Sequence, residues 1–103
     1  MIRTFKCKET EKIFARRRSG KLLHNIQQVA LRKLRMLNRV ATLHDLRMPP
    51  GNRLEKLGGD RAGQYSVRIN DLWRICFQWR DGDASNVEIE LCAEIRPFKL
   101  GCV

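Results

Sequence analysis

The feature that most restricts how this chain folds is a pair of alternating runs in residues 64–79, Gln-Tyr-Ser-Val-Arg-Ile-Asn-Asp-Leu-Trp-Arg-Ile-Cys-Phe-Gln-Trp. Tyr65, Val67 and Ile69 alternate with Ser66 and Arg68; Trp73, Ile75, Phe77 and Trp79 alternate with Arg74, Cys76 and Gln78. A period of two marks strands with one buried face. A two-residue loop at Asn70-Asp71 sets Val67 opposite Arg74, whereas a three-residue loop of Asn70, Asp71 and Leu72 pairs Ile69 with Trp73 and Val67 with Ile75. Only the second keeps both apolar sets together, because a one-residue slip inverts every side chain. Arg68 then faces Arg74 on the polar side. Like charges opposed in a sheet repel, so the pair requires carboxylates nearby, splayed and solvated guanidinium groups, or an anion held between them.

The whole chain carries the same sign. Its 21 Lys and Arg against 11 Asp and Glu give a formal net charge of +10 in 103 residues. Such an excess favours polyanions: RNA, DNA, an acidic protein or an anionic membrane. The length fits one domain, residues 1–103. Cys7, Cys76, Cys92 and Cys102 are widely spaced, with no Cys-x-x-Cys and no histidine pair at ligand spacing, so no metal site is expected. Charged residues follow directly on Met1 to Phe5 and no apolar run reaches membrane-spanning length, so neither a signal peptide nor a membrane span is expected. The cysteines are then expected as reduced thiols in a cytoplasm.

Along the chain, residues 2–6 read as a short strand and residues 10–18 as a short helix closed by Ser19-Gly20. Between residues 22 and 43, Leu22, Ile26, Val29, Ala30, Leu34, Leu37 and Val40 recur at helical spacing, while Arg32, Lys33, Arg35 and Arg39 lie mostly off that stripe. This is an amphipathic helix with a basic outer face. Pro49-Pro50-Gly51 ends the helical half. Residues 52–57 can form a strand and residues 58–63 a turn. After an Asp81-Gly82-Asp83 turn, residues 87–91 alternate again. Matching apolar faces pairs Ile89 with Phe77 and Leu91 with Ile75, setting Glu90 opposite Cys76 and Cys92 opposite Arg74. The fold class is α+β: an N-terminal strand and two helices packed on one face of an antiparallel meander, with the other face partly open for a ligand.

A face bearing Arg68 and Arg74, with Arg53, Lys56 and Arg61 close in sequence, suits phosphate, since guanidinium forks bind phosphate oxygens bidentately and stay charged. Metal-free RNA cleavage also needs a base to deprotonate the 2′-hydroxyl and an acid to protonate the leaving 5′-oxygen, which arginine serves badly. Glu90, Glu55, His44 and His24 are the candidates for those proton transfers. Glu90 shares the arginine face; the two histidines fall on or near the long helix.

Pro-Pro-Gly-Asn-Arg-Leu-Glu-Lys-Leu at residues 49–57 and Gly-Asp-Arg-Ala-Gly-Gln-Tyr-Ser-Val-Arg-Ile-Asn-Asp-Leu-Trp-Arg-Ile-Cys-Phe at residues 59–77 closely resemble the HigB-type toxins of the RelE superfamily. That resemblance implies a RelE-like fold and a bacterial, cytoplasmic toxin of a type II toxin-antitoxin pair. It further implies an endoribonuclease acting on mRNA, typically at the ribosome, without a cofactor and neutralised by a HigA-like helix-turn-helix antitoxin. By motif position, Arg53, Arg68 and Arg74 lie near the scissile phosphate, with Lys56 and Arg61 helping to hold RNA; Glu90, from its place on the arginine face, is a further catalytic candidate, and Gln78 a further RNA contact. The C-terminus departs from the pattern. These toxins usually finish in Asp-Tyr-His or similar, whereas here residues 90–103 read Glu-Leu-Cys-Ala-Glu-Ile-Arg-Pro-Phe-Lys-Leu-Gly-Cys-Val. Without that tyrosine and histidine, the alternative is a RelE-fold protein that binds RNA and antitoxin without cleavage. A DNA-binding protein is a weaker third class, because the basic residues are dispersed and no helix-turn-helix signature stands out.

Overall fold

The computed structural model describes residues 1–17 and 24–91. Three helices, α1 (Lys8–Phe14), α2 (His24–Arg39) and α3 (Leu43–Arg47), precede four strands, β1 (Glu55–Lys56), β2 (Gln64–Arg68), β3 (Trp73–Arg80) and β4 (Asp83–Leu91). The strands form one antiparallel sheet in the order β1-β2-β3-β4. Ile13 of α1, Ile26, Ala30, Leu34 and Leu37 of α2, and Leu46 of α3 cover the sheet face formed by Val67, Ile75, Phe77, Val87 and Ile89. Truncating a fully buried leucine in such a core typically costs about 2–5 kcal/mol.

Helix α1 starts earlier and ends earlier than its periodicity predicts. Arg16 adopts a left-handed conformation (φ 64°), and the Arg17 and Arg16 amides donate to the Lys12 and Ile13 carbonyls at 2.7 and 2.9 Å. This is a Schellman termination with arginine where glycine is usual. The predicted Ser19-Gly20 stop lies outside the described residues. The Thr10 hydroxyl, fully buried, accepts the Ile89 amide at 3.0 Å and ties α1 to β4.

The predicted helix over residues 22–43 stops at Arg39 and restarts as α3. Thr42 and Asp45 form a capping box: the Thr42 hydroxyl accepts the Asp45 amide, and the Asp45 carboxylate accepts the Thr42 amide, each at 3.2 Å. That reciprocal cap satisfies the helix-start amides and makes a new helix the cheaper local solution. After a 3₁₀ turn at Pro50–Asn52, the buried Asn52 amide donates to the Leu46 carbonyl at 2.9 Å, and its oxygen accepts from Lys33 Nζ at 2.6 Å. This commitment of Asn52, followed by left-handed Arg53, shortens the predicted strand over residues 52–57 to Glu55–Lys56. The N-terminal strand is likewise reduced to two isolated parallel bridges, Ile2 to Ala84 and Phe5 to Val87, along the outer edge of β4.

The β2–β3 register is the predicted one, with Val67 opposite Ile75 and Arg68 opposite Arg74. The β3–β4 register differs by two residues: Ile89 pairs with Ile75, Glu90 with Arg74 and Glu88 with Cys76. Asp81 (φ 52°) and Gly82 (φ 82°) make a tight two-residue turn that pairs Arg80 with Asp83. Continued without interruption, that turn would set Glu88 opposite Ile75 on the apolar face. A bulge between Cys76 and Gln78, with Asn86 left-handed at φ 52°, inserts one residue and returns Ile89 to the core.

Candidate functional site

The hairpin loop holds the two arginines in register. The Asn70 side-chain oxygen accepts the Leu72 and Trp73 amides at 2.8 and 2.9 Å, and the Trp73 carbonyl accepts the Ile69 amide at 2.9 Å. An asparagine bonding its own turn is a local solution that suits a short loop.

The repulsion expected between Arg68 and Arg74 is relieved by giving each its own partners. Arg74 turns across β2: its Nε donates to Ser66 Oγ at 2.7 Å, and its Nη2 donates to the Arg53 carbonyl at 2.5 Å and the Ser66 carbonyl at 3.2 Å. Glu55 Oε1 lies 3.6 Å from the same nitrogen, and the Arg74 side chain is only 2% exposed. Arg68 instead donates to Asp71 in the loop; its side chain is 30% exposed and that of Asp71 90% exposed. One guanidinium is thus built into the protein and the other remains reachable from solvent.

Arg53 joins these two through its main chain. It closes the 3₁₀ turn in a left-handed conformation (φ 42°), which costs a non-glycine residue roughly 1–2 kcal/mol. Its carbonyl is thereby aimed at Arg74, where a charge-assisted hydrogen bond offsets the strain, and its own side chain is exposed.

Further along the polar face, Arg61 bridges two carboxylates, with Nη1 3.5 Å from Glu88 and Nη2 3.7 Å from Glu90. It also donates to Gln64 at 3.1 Å, and Lys6 Nζ lies 3.5 Å from Glu88. Between these groups lies the fully buried Cys76, whose thiol burial pushes up to about 12. Lys33, buried beside Asn52, has its pKa lowered by desolvation first and then by the positive charges of Arg32, Arg68 and Arg74.

The structure sorts the residues singled out from sequence. Arg53, Arg68, Arg74 and Glu90 gather at one end of the polar face, and Glu90 lies nearer than predicted because it pairs with Arg74. Lys56 does not share that face: it pairs with Tyr65, whereas Glu55 pairs with Ser66 on the arginine side. Gln78 is exposed at the far end, beside Gln64 and bonded to Asn86 at 3.0 Å. His44 is exposed on α3, away from the sheet strands, and the His24 side chain lies outside the described residues. The face predicted to be partly open is closed at its centre, where Ser66, Arg74, Cys76 and Glu88 are all buried. Sequence reasoning missed Ser66 and Glu88, though their strand parity alone sets them on the arginine side. Among the described residues, no cluster of three metal-ligating side chains occurs and no helix is long and apolar enough to cross a membrane.

Helices on one face of a four-stranded antiparallel meander make a fold shared with the crystal structure of YafQ from E. coli strain BL21(DE3). The two superpose with a TM-score of 0.56 at 14% identity, over 91% of this chain and 94% of the other. The class is that of RelE-like folds. Residues 3–91 match the family described as RelE-like toxin of type II toxin-antitoxin system HigB. Over 91 residues the chain is 37% identical to Toxin HigB-1 of Vibrio cholerae serotype O1, covering 87% of this chain and 96% of that protein. It is 31% identical over 71 residues to an uncharacterized protein of Haemophilus influenzae, covering 69% of this chain and 70% of that one. The chain belongs to the HigB-like toxins of type II toxin-antitoxin systems.

Proposed function

We propose that this toxin cleaves mRNA, acting in the bacterial cytoplasm on ribosome-bound transcripts, and that a HigA-like helix-turn-helix antitoxin neutralises it. The observation that carries the reading is the Arg68 guanidinium, partly exposed, beside the built-in Arg74 and paired only with the exposed loop carboxylate of Asp71 among its described salt bridges. Such a surface pair is worth little in water, so an RNA phosphate can displace Asp71 at small cost. Arg68 and the exposed Arg53 side chain then neutralise the charge that develops as the 2′-hydroxyl attacks phosphorus. Arg74 serves this step by holding the Arg53 main chain. Glu90 and Glu55, on the same face, are the carboxylates available for proton transfer. Gln78, exposed at the far end of that face, contacts RNA further out, and Arg61 keeps Glu88 and Glu90 in place.

One observation favours a second reading, binding without cleavage. Glu55, Glu88 and Glu90 all lie within salt-bridge distance of an arginine, and no histidine side chain among the described residues accompanies them. Both readings are tested by incubating the purified chain with a defined mRNA, with and without translating ribosomes. Cleavage that falls at least about 100-fold in Arg68→Ala, a typical loss for one oxyanion-stabilising donor, supports the nuclease. Intact mRNA in both arms, with RNA binding that weakens steeply as salt rises, favours the second reading.

A further inference from the structure

Lys33 reads from sequence as part of the basic outer face of α2, yet it is only 9% exposed. It stands three residues after Ala30 and four before Leu37, both fully buried, so helical spacing turns it inward with the core stripe. Its Nζ donates to Asn52 Oδ1 at 2.6 Å, and Asn52 Nδ2 donates to the Leu46 carbonyl at 2.9 Å and to Met36 Sδ at 3.5 Å. Both ends of that buried amide are therefore committed, which fixes the way it points. Taking an ammonium out of water is unfavourable, and an apolar side chain of similar volume in its place is often at least as stable. Packing alone does not account for a lysine here. Its position relative to Arg53 does. The Arg53 amide donates to the Pro50 carbonyl at 3.3 Å, the residue is left-handed (φ 42°), its carbonyl accepts from Arg74 Nη2 at 2.5 Å, and its side chain is exposed. A line of contacts thus runs from α2 through Asn52 and the next residue to the buried guanidinium on β3.

We propose that Lys33 is a positioning residue of the candidate phosphate site: through Asn52 it holds the turn from which the Arg53 side chain projects. The inference rests on the reading of Arg53 and Arg68 as phosphate contacts. A left-handed arginine is an unfavourable backbone state, and it persists here because it is held from both sides. Arg74 grips its carbonyl, and Lys33 fixes the asparagine before it. The ammonium makes the second grip charge-assisted, a stronger bond than two neutral groups form. Three cations act on Lys33, namely Arg32 on its own helix, Arg68 on β2 and Arg74 on β3; burial, the larger cause, and these charges hold its pKa below the ordinary 10.5. A phosphate on Arg68 offsets part of that repulsion and so favours the ammonium, and by linkage the ammonium favours the phosphate.

The test uses the full chain and fluorescein-labelled oligoadenylate, whose bases lose no proton in the alkaline range, with anisotropy as the readout. Lys33→Met is expected to weaken binding at least about fivefold at pH 7, and Arg53→Ala to weaken it also. The double variant is expected to bind within about twofold of Arg53→Ala alone, the non-additivity of residues that act as a unit. The gap between the parent and Lys33→Met is expected to narrow as pH rises toward 10.5, since the parent then sheds the ammonium while the other lysines and arginines are common to both chains. Amide hydrogen exchange followed by NMR is expected to speed up at Arg53 and to stay unchanged at Ile75. Thermal circular dichroism shows whether Lys33→Met folds, and Lys33→Gln replaces it if it does not. Unchanged binding and exchange in a folded Lys33→Met overturns the proposal and leaves the phosphate site standing. Fully additive losses overturn it too, because Lys33 then acts independently of Arg53. A parent chain that binds no oligoadenylate removes the phosphate site itself, and the proposal with it.

Discussion

The Arg74 guanidinium, 2% exposed, donates at 2.5 Å to the main-chain carbonyl of left-handed Arg53, so one basic residue of the site sets the backbone from which another projects. Removing Arg74 therefore takes a charged hydrogen-bond donor from the Ser66 hydroxyl and from the Arg53 and Ser66 carbonyls together, and an ion-pair partner from Glu55. Arg74→Ala is expected to destabilise the fold by about 3 kcal/mol, and Arg74→Lys to recover only part, since an ammonium lacks the planar fork. Arg68→Ala, which breaks a surface pair, is expected within about 1 kcal/mol of the parent. Urea unfolding of the three variants checks this; an unchanged midpoint for Arg74→Ala would contradict the clamp.

Replacing Arg16 by glycine has the opposite sign. Arg16 occupies a left-handed position in a Schellman termination at φ 64°, a conformation that costs an L-residue about 1 kcal/mol or more and glycine almost nothing. Arg16→Gly is expected to raise the melting temperature by roughly 4–8 °C for each kcal/mol gained, measured by thermal circular dichroism. A lower melting temperature would mean that the arginine side chain stabilises the fold by more than its backbone strain costs.

Acid stability carries a signature of Asp83. A hydrogen bond from Arg3, helped by the N-terminal ammonium, holds the Asp83 carboxyl below its ordinary value of 3.8. A depressed carboxylate contributes stability above its unfolded pKa and loses it as pH falls through the folded one. The gap in urea midpoint between the parent and Asp83→Asn is thus expected at pH 7, to shrink below about pH 3.8 and to close under more acid conditions. High salt narrows the gap at pH 7, because the pair is largely exposed.

Cys76 is expected to be inert in the native protein. Burial pushes its thiol up to about 12, leaving little thiolate at neutral pH. Iodoacetamide at pH 8, followed by peptide mass spectrometry, is expected to label the half-buried Cys7 while sparing Cys76 until urea is added. Native labelling of Cys76 at the rate of Cys7 would show that the polar face opens in solution.

The meeting of Arg68 and Arg74 was legible because parity and a short asparagine-anchored loop determine it locally. The β3–β4 pairing was legible only in parity. Its register depends on a bulge at Asn86, and an asparagine turning left-handed inside a strand leaves little trace in apolar alternation. Helix α3 was hidden because Val40 and Ala41 continue the apolar stripe across the break, while the Thr42–Asp45 cap that makes the break is a polar, side-chain effect. The burial of Arg74 was illegible for a different reason: its partners Ser66, Glu55 and Arg53 converge only when β1 and its preceding turn dock on β2. A charged residue on the polar face of an alternating strand reads as solvated until those neighbours are known.

The bridges from Ile2 and Phe5 to β4 also bear on self-association. A sheet grows by adding strands to unpaired edges. Here the long β4 edge is taken by the chain's own N-terminal segment, which carries Arg3 and Lys6, and the opposite edge strand, β1, offers only Glu55 and Lys56. Neither edge of the described sheet presents a long, apolar template to a second copy, so that sheet resists strand-by-strand polymerisation.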